Sequence, residues 1–493
     1  MSAAAPERLS QPPGVRTSLA WIYGTHLVMA AVTLGSTVIV SRLLSPRELG
    51  VFGVGMAICA MVGAISQFGI TNYLIREANL PEAKIAAGFT ANALVSLVAS
   101  AVLVLLGTLG GRLFGDPAVC RTLQLLALVP ALGVFEFLPG TLLTREMQFD
   151  RTSLVQLAKS AINAAATIGL ALAGWGYLSF VAGAVLAALF GAVGFSLAGR
   201  RHVRCALTLR GLRDPLVFGA QMMSAGGVAV IAPRIAELVI AQQLGLGALG
   251  LYSRASGLAM LIWDGAYGLS TRVIYVRMAA ELRATGSLRQ TFLQSTRLLT
   301  AVMWPAMIGL AVLAGPVVHL LYGAQWDGAA LPLAVLMLSQ FVAIGFAMSW
   351  ELCVLTGHTG WQARTEIVRA GIGLAVFAVG TLFGLAAASA GRIADAVFGF
   401  VVYRPKMREM AGVSAAEMRG AYAGSFVLTG LTVAPALGLM AVWEWSPTVP
   451  LTLLGGAIAA GAVLWLAALR GLRHPLYAEL AALLPRPRRR AHA

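Results

Sequence analysis

Long apolar stretches, separated by short polar connectors, run through nearly the whole chain and constrain its fold more than any other feature. Each is about 20 residues or longer, the length of α-helix that crosses ~30 Å of hydrocarbon. The stretches predicted to span a membrane are 19–41, 49–74, 84–109, 119–143, 153–173, 176–198, 215–243, 249–275, 296–321, 329–356, 364–384, 386–403, 420–442 and 449–469. The chain of 493 residues is 58% hydrophobic and 11% charged, with a mean hydropathy of +0.81. These features predict an all-α integral membrane protein with about 14 transmembrane helices.

A polar hinge at Ser41–Phe52 separates the first two apolar stretches, and part of it returns two hundred residues later. Leu49 and Gly50 match Leu249 and Gly250 at that constant offset. A recurrence at a fixed offset indicates two lobes of similar build. Many membrane transporters consist of such repeats around a central cavity. We therefore expect two six-helix lobes around a central cavity, followed by about two extra C-terminal helices.

The order of apolar stretches and basic connectors predicts how the chain divides into segments. The predicted segments are a cytoplasmic N-terminal tail at 1–18, an N-lobe at 19–198, a basic cytoplasmic connector at 199–214, a C-lobe at 215–403, two additional transmembrane helices within 404–470 and a basic cytoplasmic tail at 471–493. The residues before the first helix lack a small-residue cleavage pattern, so we expect them to remain as a tail and not to be removed as a signal peptide.

The distribution of Lys and Arg predicts the orientation in the membrane. The longest basic clusters, at 200–213, 272–297 and 404–408, all fall in connectors on the same side of the membrane as the N-terminus. Loops rich in Lys and Arg stay in the cytoplasm, which places both termini there. The net charge of +16 is thereby explained as an insertion signal and as contact with lipid headgroups, and nucleic-acid binding is not expected.

Ionisable residues inside the predicted helices are the candidate functional groups, because burying one costs roughly 2.5–3.5 kcal/mol and normally requires a partner or water. In helix seven, Arg234 and Glu237 are spaced i,i+3, which places them on one face where they can pair. The alternative is that Arg234 attracts an anion while Glu237 holds it in place or exchanges a proton. Arg254 and Asp264 in helix eight lie nearly three turns apart, so each needs another partner.

Arg254 is the candidate that we favour for binding an anion, because it lies just inside the outer end of its helix, where a cation suits a phosphate. Snorkelling of its guanidinium to the headgroups is the alternative. Arg42 lies at a comparable depth at the end of the first helix, with a stronger case for snorkelling. Arg272 lies near the inner end of helix eight, where ordinary positive-inside placement is the simpler explanation.

Glu136 and Glu351 are acids within helices four and ten. An isolated carboxylate in hydrocarbon is either protonated or faces a cavity. Together with Glu237 and Asp264, these two residues are candidates for coupling transport to a proton or cation gradient, or for pairing with other charges.

Signatures of other chemistry are missing from the sequence. It has no Walker loop, no His-Glu-x-x-His and no nucleophile elbow, and its cysteines lack metal-ligand or redox spacing. No connector is long enough for a folded domain outside the membrane. We therefore expect no catalytic residue, no metal and no cofactor, and a protein that is not an enzyme. Uphill transport must then draw on an ion gradient, the membrane potential or consumption of the product.

Four short motifs lie at the connections between predicted helices: SRLLSPRELGVF at 41–52, LLTREMQF at 142–149, LGLYSRA at 249–255 and LLYGAQW at 320–326. In type, order and position they resemble the Wzx-type flippases of the polysaccharide-transporter family, in the multidrug/oligosaccharidyl-lipid/polysaccharide exporter superfamily. The resemblance implies transport of undecaprenyl-diphosphate-linked sugar repeat units to the periplasmic leaflet of the bacterial inner membrane, for O-antigen, capsule or exopolysaccharide. It also implies that Arg254 and Arg42, which lie inside matching motifs, bind phosphate. Arg234 and Glu237 match no motif.

Two other functions are weighed against the flippase. One is an ion-coupled exporter of drugs or metabolites on the same fold, with Glu136, Glu237 and Asp264 as coupling groups. The other is a membrane-embedded glycan polymerase or ligase, an enzyme expected to present a large polar outer loop, whereas the outer connectors here are short. For the flippase, the expected partners are the lipid-linked oligosaccharide, membrane lipids, a polysaccharide polymerase and a chain-length regulator.

Overall fold

A computed structural model describes residues 15–67, 69–77, 79–202 and 207–477, and in these ranges the chain forms helices and connectors without a strand. The chain divides into two compact units, Met1–Leu238 and Val239–Ala493. Most of both predicted tails lies outside the described residues.

Within the described residues, the N-terminal unit is formed by seven long α-helices and two short ones. Its helices are α1 (Val15–Leu43), α2 (Pro46–Gln67), α3 (Ile70–Arg76), α4 (Glu82–Phe114), α5 (Pro117–Leu126), α6 (Leu128–Arg145), α7 (Phe149–Leu172), α8 (Leu178–Ala198) and α9 (Arg213–Gln243), the last of which runs across the division between the units. Within this unit α7 packs along α8 and α1, and α6 packs along α8 and α4.

The C-terminal unit contains the remaining helices. They are α10 (Leu246–Ile262), α11 (Leu269–Thr285), α12 (Arg289–Val312), α13 (Ala314–Tyr322), α14 (Ala330–Ile344), α15 (Ser349–Leu355), α16 (Thr359–Thr381), α17 (Leu385–Ala411), α18 (Ala415–Val442) and α19 (Leu451–Gly471). A π-helical turn at Trp263–Gly268 joins α10 to α11, and a 3₁₀ helix at Ala324–Ala329 precedes α14.

Helices occupy every stretch that the sequence predicts to span a membrane. Within the described residues, 10 helical segments are long and apolar enough to cross one, and the prediction of an all-α membrane protein is confirmed. Helices α1, α9, α10–α11 and α16 also lie at predicted stretches but are not among these 10 segments, and the apolar part of α1, Val28–Leu43, is shorter than the others. The total of about 14 transmembrane helices stays a prediction.

Helices α16 and α17 form a tight hairpin in the C-terminal unit. The chain turns at Gly384, whose φ of +108° is a conformation that L side chains rarely adopt. A Cβ added at Gly380 would lie 2.7 Å from the carbonyl oxygen of Ala387 and 2.8 Å from Cα of Ala388. The missing side chain therefore lets the two backbones approach closely, as is common between membrane helices.

A network of ion pairs also links α16 to α17. The Arg369 guanidinium lies 2.9 Å from Asp395 Oδ2 and 2.8 Å from Glu366 Oε2. The hydroxyl of Tyr403 donates to Glu366 Oε1 at 2.8 Å. Gly373 leaves room for the network, because a Cβ there would lie 3.0 Å from Cγ of Asp395. One arginine thus compensates two half-buried carboxylates on neighbouring helices.

We expect Gly380→Ala to destabilise the protein by about 1–3 kcal/mol, because the added methyl group forces the α16 and α17 backbones apart. Gly371→Ala, in the same helix, is the matched control, since a Cβ there meets nothing within 4 Å. It should be neutral or stabilising by up to about 1 kcal/mol through helix propensity. Thermal unfolding of the purified full chain in detergent measures both. Equal effects of the two substitutions would contradict the close approach.

We expect Arg369→Gln to cost about 3 kcal/mol of stability, because it leaves the Asp395 and Glu366 carboxylates without their cation. Arg364→Gln is the control, a cation removed from an exposed position on the same helix. The same unfolding measurement should show little change for this control. A small effect of Arg369→Gln would mean that the network does not hold the hairpin together.

Candidate functional site

A cavity of about 910 Å³ lies inside the N-terminal unit, among α2, α3, α4, α6, α7, α8 and α9. Most of these helices belong to segments apolar enough to span a membrane. Its polar lining residues are Thr71, Asn92, Ser96, Glu136, Thr141, Thr144, Thr152, Gln156 and Lys159. Polar groups within apolar helices of this kind normally face water or a ligand. The cavity is therefore the first candidate for a functional site.

An ion pair between two helices lies in the wall of this cavity. Lys159 Nζ, in α7, lies 2.6 Å from Glu136 Oε2, in α6. Gly191 in α8 makes space for the pair, because a Cβ added there would overlap Glu136 Oε1 and approach Lys159 Cδ. Removing two charges from water requires that they compensate each other closely. The candidate acid Glu136 is thus held by a cation in this structure.

Sequence reasoning missed Lys159, although a signal for it exists. Thr152, Gln156, Lys159 and Asn163 follow one another at intervals of four, three and four residues along α7. This spacing places all four on one face of α7. A polar stripe on a membrane helix predicts a face that turns toward a cavity or a polar partner.

Three further lining groups are buried and have no protein partner. Asn92, Ser96 and Thr141 are 5%, 4% and 4% exposed. Their side chains make no hydrogen bond to any residue in the described part of the chain, and neither does Gln156, whereas Thr144 donates to the Gly140 carbonyl at 2.8 Å. These amide and hydroxyl groups are therefore available to whatever enters the cavity.

Arg254, the candidate favoured from the sequence, contacts aromatic rings in the C-terminal unit. Its guanidinium carbon lies 5.9 Å from the ring centroid of Tyr322 and 5.5 Å from that of Trp326. Its Nε is buried without a hydrogen-bond partner among the described residues. Two of the four motifs, 249–255 and 320–326, thus pack against each other through a cation–π contact. The predicted phosphate-binding role of Arg254 stays a prediction.

The other candidate residues lie in different environments. Arg234 Nη1 lies 2.7 Å from Glu237 Oε1, so these two residues pair as their spacing predicts. Arg42 is exposed in the last turn of α1, and Asp264 is exposed in the π-helical turn. The side chain of Arg272 lies outside the described part of the structure.

Glu351 is the one buried acid of the candidate set for which the described residues supply no ion pair. It lies in α15, is 5% exposed, and its Oε2 has no hydrogen-bond partner there. The nearby phenol of Tyr267 donates to the Ala347 carbonyl at 2.6 Å. A carboxylate without a cation is unfavourable at such a position, and the neutral acid avoids that cost.

Relatives of this chain are found among proteins of polysaccharide biosynthesis. The succinoglycan biosynthesis transport protein ExoT of Rhizobium meliloti is 26% identical over 302 residues, which cover 61% of this chain and 61% of ExoT. The lipopolysaccharide biosynthesis protein WzxC of Escherichia coli K12 is 23% identical over 316 residues, which cover 62% of this chain and 63% of WzxC. The similarity therefore spans less than two thirds of the length of either relative.

Two solved structures share the fold. The lipid II flippase MurJ in an inward closed conformation superposes with a TM-score of 0.68 at 13% identity, covering 94% of this chain and 100% of that one. A multidrug resistance MATE family transporter of the MOP superfamily, in an inward-facing conformation, superposes with a TM-score of 0.60 at 14% identity, covering 81% of this chain and 100% of that one. At these identities the likeness establishes the fold alone.

The profile of a family described as polysaccharide biosynthesis protein matches residues 39–331, which is more than half of the chain. All four motifs on which the resemblance rests lie within this match. The resemblance is therefore confirmed, and the chain belongs to the polysaccharide biosynthesis protein family.

Proposed function

We propose that this protein is a flippase that moves undecaprenyl-diphosphate-linked oligosaccharide repeat units from the cytoplasmic to the periplasmic leaflet of the bacterial inner membrane. The polar cavity inside the membrane helices of the N-terminal unit carries the proposal. Sugar hydroxyls cannot cross hydrocarbon alone, because each loses its hydrogen bonds to water. The polyprenyl tail can stay in lipid throughout, so only the head group needs a polar path.

Membership of a polysaccharide biosynthesis family supports this substrate class. The relatives named for succinoglycan transport and lipopolysaccharide biosynthesis support it further, and the fold shared with a lipid II flippase suits a lipid-linked substrate. In the proposal the protein is a transporter and not an enzyme, and its product feeds O-antigen, capsule or exopolysaccharide assembly. A polymerase and a chain-length regulator would then act next on the product.

Alternating access is the mechanism that we infer for transport. Two lobes around a central cavity would open first to the cytoplasm, where both termini lie, and then to the periplasm. Arg254, Arg42, Arg234 and Arg272 remain the proposed contacts for the diphosphate. Because Arg234 is paired with Glu237 and Arg254 contacts aromatic rings, each would have to exchange its present partner for phosphate oxygens.

Energy coupling is proposed to use Glu351 in preference to the other acidic candidates. Glu136 and Glu237 are each held by a cation, and Asp264 is exposed, whereas Glu351 is buried without an ion pair in the described part of the chain. A carboxyl group in that setting takes up a proton before it is enclosed and releases it when water reaches it. The same group would serve an ion-coupled exporter of small molecules, which is the second candidate function.

The flippase proposal predicts that deleting the gene traps lipid-linked glycans in the cytoplasmic leaflet. A sugar-modifying enzyme confined to the periplasm, followed by mass spectrometry of extracted lipids, reports which leaflet holds them. We expect the modified fraction to fall several-fold on deletion and to return with the wild-type gene. An unchanged fraction, together with increased sensitivity to drugs, would favour the exporter.

The coupling proposal predicts that Glu351→Gln removes the response of transport to a proton gradient. In proteoliposomes, we expect wild-type transport to accelerate when a gradient is imposed, and the variant to run at one rate with or without it. Glu444→Gln is the control, because Glu444 is an exposed acid in the connector after α18. A variant that responds to the gradient as strongly as wild type would rule out Glu351 as the coupling group.

A further inference from the structure

We infer that the cavity of the N-terminal unit binds the uncharged sugar residues of the substrate and discriminates against acidic ones, with the Glu136–Lys159 pair as the discriminating element. This inference rests on the proposed flippase function and assigns one part of the substrate to one cavity. The diphosphate of the substrate is assigned to the arginines named in the proposed function.

The unpartnered polar groups of the cavity favour a sugar as its occupant. Buried polar side chains in folded proteins nearly always have a hydrogen-bond partner. Asn92, Ser96 and Thr141 are each more than nine-tenths buried, line the cavity and have no partner among the described residues. Together they offer donors and acceptors at several points of one wall. Sugar hydroxyls, which both donate and accept, match such a set better than a phosphate, which only accepts.

The charges in the cavity lining disfavour an anionic occupant. Among the described lining residues, the charged side chains are Glu136 and Lys159, and they neutralise each other at 2.6 Å. An anionic group entering the cavity would have to take Lys159 away from Glu136. That would leave Glu136 buried without a cation, which is strongly unfavourable. A neutral sugar can hydrogen-bond both members of the pair without separating them.

The size of the cavity also suits a short oligosaccharide. The cavity holds about 910 Å³. Pockets that enclose drug-sized ligands have volumes of roughly 300–1,000 Å³. A short oligosaccharide therefore fits, and no arginine lies in the described lining to attract the diphosphate instead.

The first experiment measures binding to the full chain in lipid nanodiscs by isothermal titration calorimetry. The probes are a short isoprenyl diphosphate without sugar and the same lipid carrying a disaccharide that ends in either glucose or glucuronate. We expect wild type to bind the glucose probe at least about tenfold more tightly than the glucuronate probe. Asn92→Ala combined with Thr141→Ala should raise the Kd of the glucose probe about tenfold, as the loss of two hydrogen bonds would, and leave the sugar-free probe unchanged.

Gln124→Ala serves as the control for the alanine variants, because it removes an exposed amide on α5 that does not line the cavity. It should bind all three probes as wild type does. If the Asn92 and Thr141 substitutions weaken the sugar-free probe as much as the glucose probe, the cavity holds the diphosphate and the assignment is wrong. If they weaken neither, the cavity holds only water.

The second experiment varies the charge of the pair. Glu136→Gln frees the Lys159 ammonium, so the preference for glucose over glucuronate should fall about tenfold or reverse. Lys159→Gln leaves the carboxylate alone and should strengthen the preference. The double variant has no pair for an anion to separate, so it should bind the glucose probe as wild type does and show a preference for glucose over glucuronate of no more than about threefold. A preference that is the same in all four proteins would overturn the role of the pair, provided that each melts as a folded protein.

These outcomes separate failure of this inference from failure of the flippase proposal. If wild type binds no isoprenyl-diphosphate probe and the leaflet distribution does not change on deletion, the function is wrong and the inference fails with it. If wild type binds the sugar-linked probes but the cavity variants bind them equally well, the function stands and only the cavity assignment is wrong.

Discussion

The cost of placing charge in hydrocarbon is the constraint on which the rest of this structure depends. Several charges lie within its membrane helices, and the structure compensates most of them locally. Arg234 pairs with Glu237 one turn along the same helix, Glu136 pairs with Lys159 between two helices, and Arg369 holds Glu366 and Asp395. Arg254 is compensated in another way, by two aromatic rings. Two of these contacts, Glu136–Lys159 and Arg369–Asp395, join neighbouring helices.

Small residues make these ion pairs between helices possible. An ion pair between helices needs both partners within about 3 Å of each other, and a bulky neighbour would prevent it. Gly191 in α8 leaves room for the Glu136–Lys159 pair, and Gly373 in α16 leaves room for Asp395. From the sequence, such glycines look like ordinary packing positions in helices. In the structure they provide the space in which a charge is neutralised.

The sequence was sufficient to predict the helices, because length and hydropathy are local properties of each stretch. The Arg234–Glu237 pair was predictable for the same reason, because an i,i+3 spacing places both side chains on the same face of one helix. The pairs between helices were not, because Lys159 meets an acid 23 residues away and Arg369 meets one 26 residues away. Spacing in sequence does not tell which faces of two helices meet. The aromatic surroundings of Arg254 required the positions of Tyr322 and Trp326, which come from α13 and the following 3₁₀ helix.

The hairpin of α16 and α17 has a consequence for how the C-terminal unit changes shape. Its two helices are joined by a turn at one end, a glycine contact beside that turn and an ion network near the middle of α16. Sliding one helix along the other would break the ion pairs of the network and expose their charges. We therefore expect the two helices to move together as one rigid unit. Any change in the shape of the C-terminal unit must then occur at positions outside this hairpin. We expect the π-helical turn between α10 and α11 to be such a position, because its hydrogen bonds already depart from the regular helical pattern.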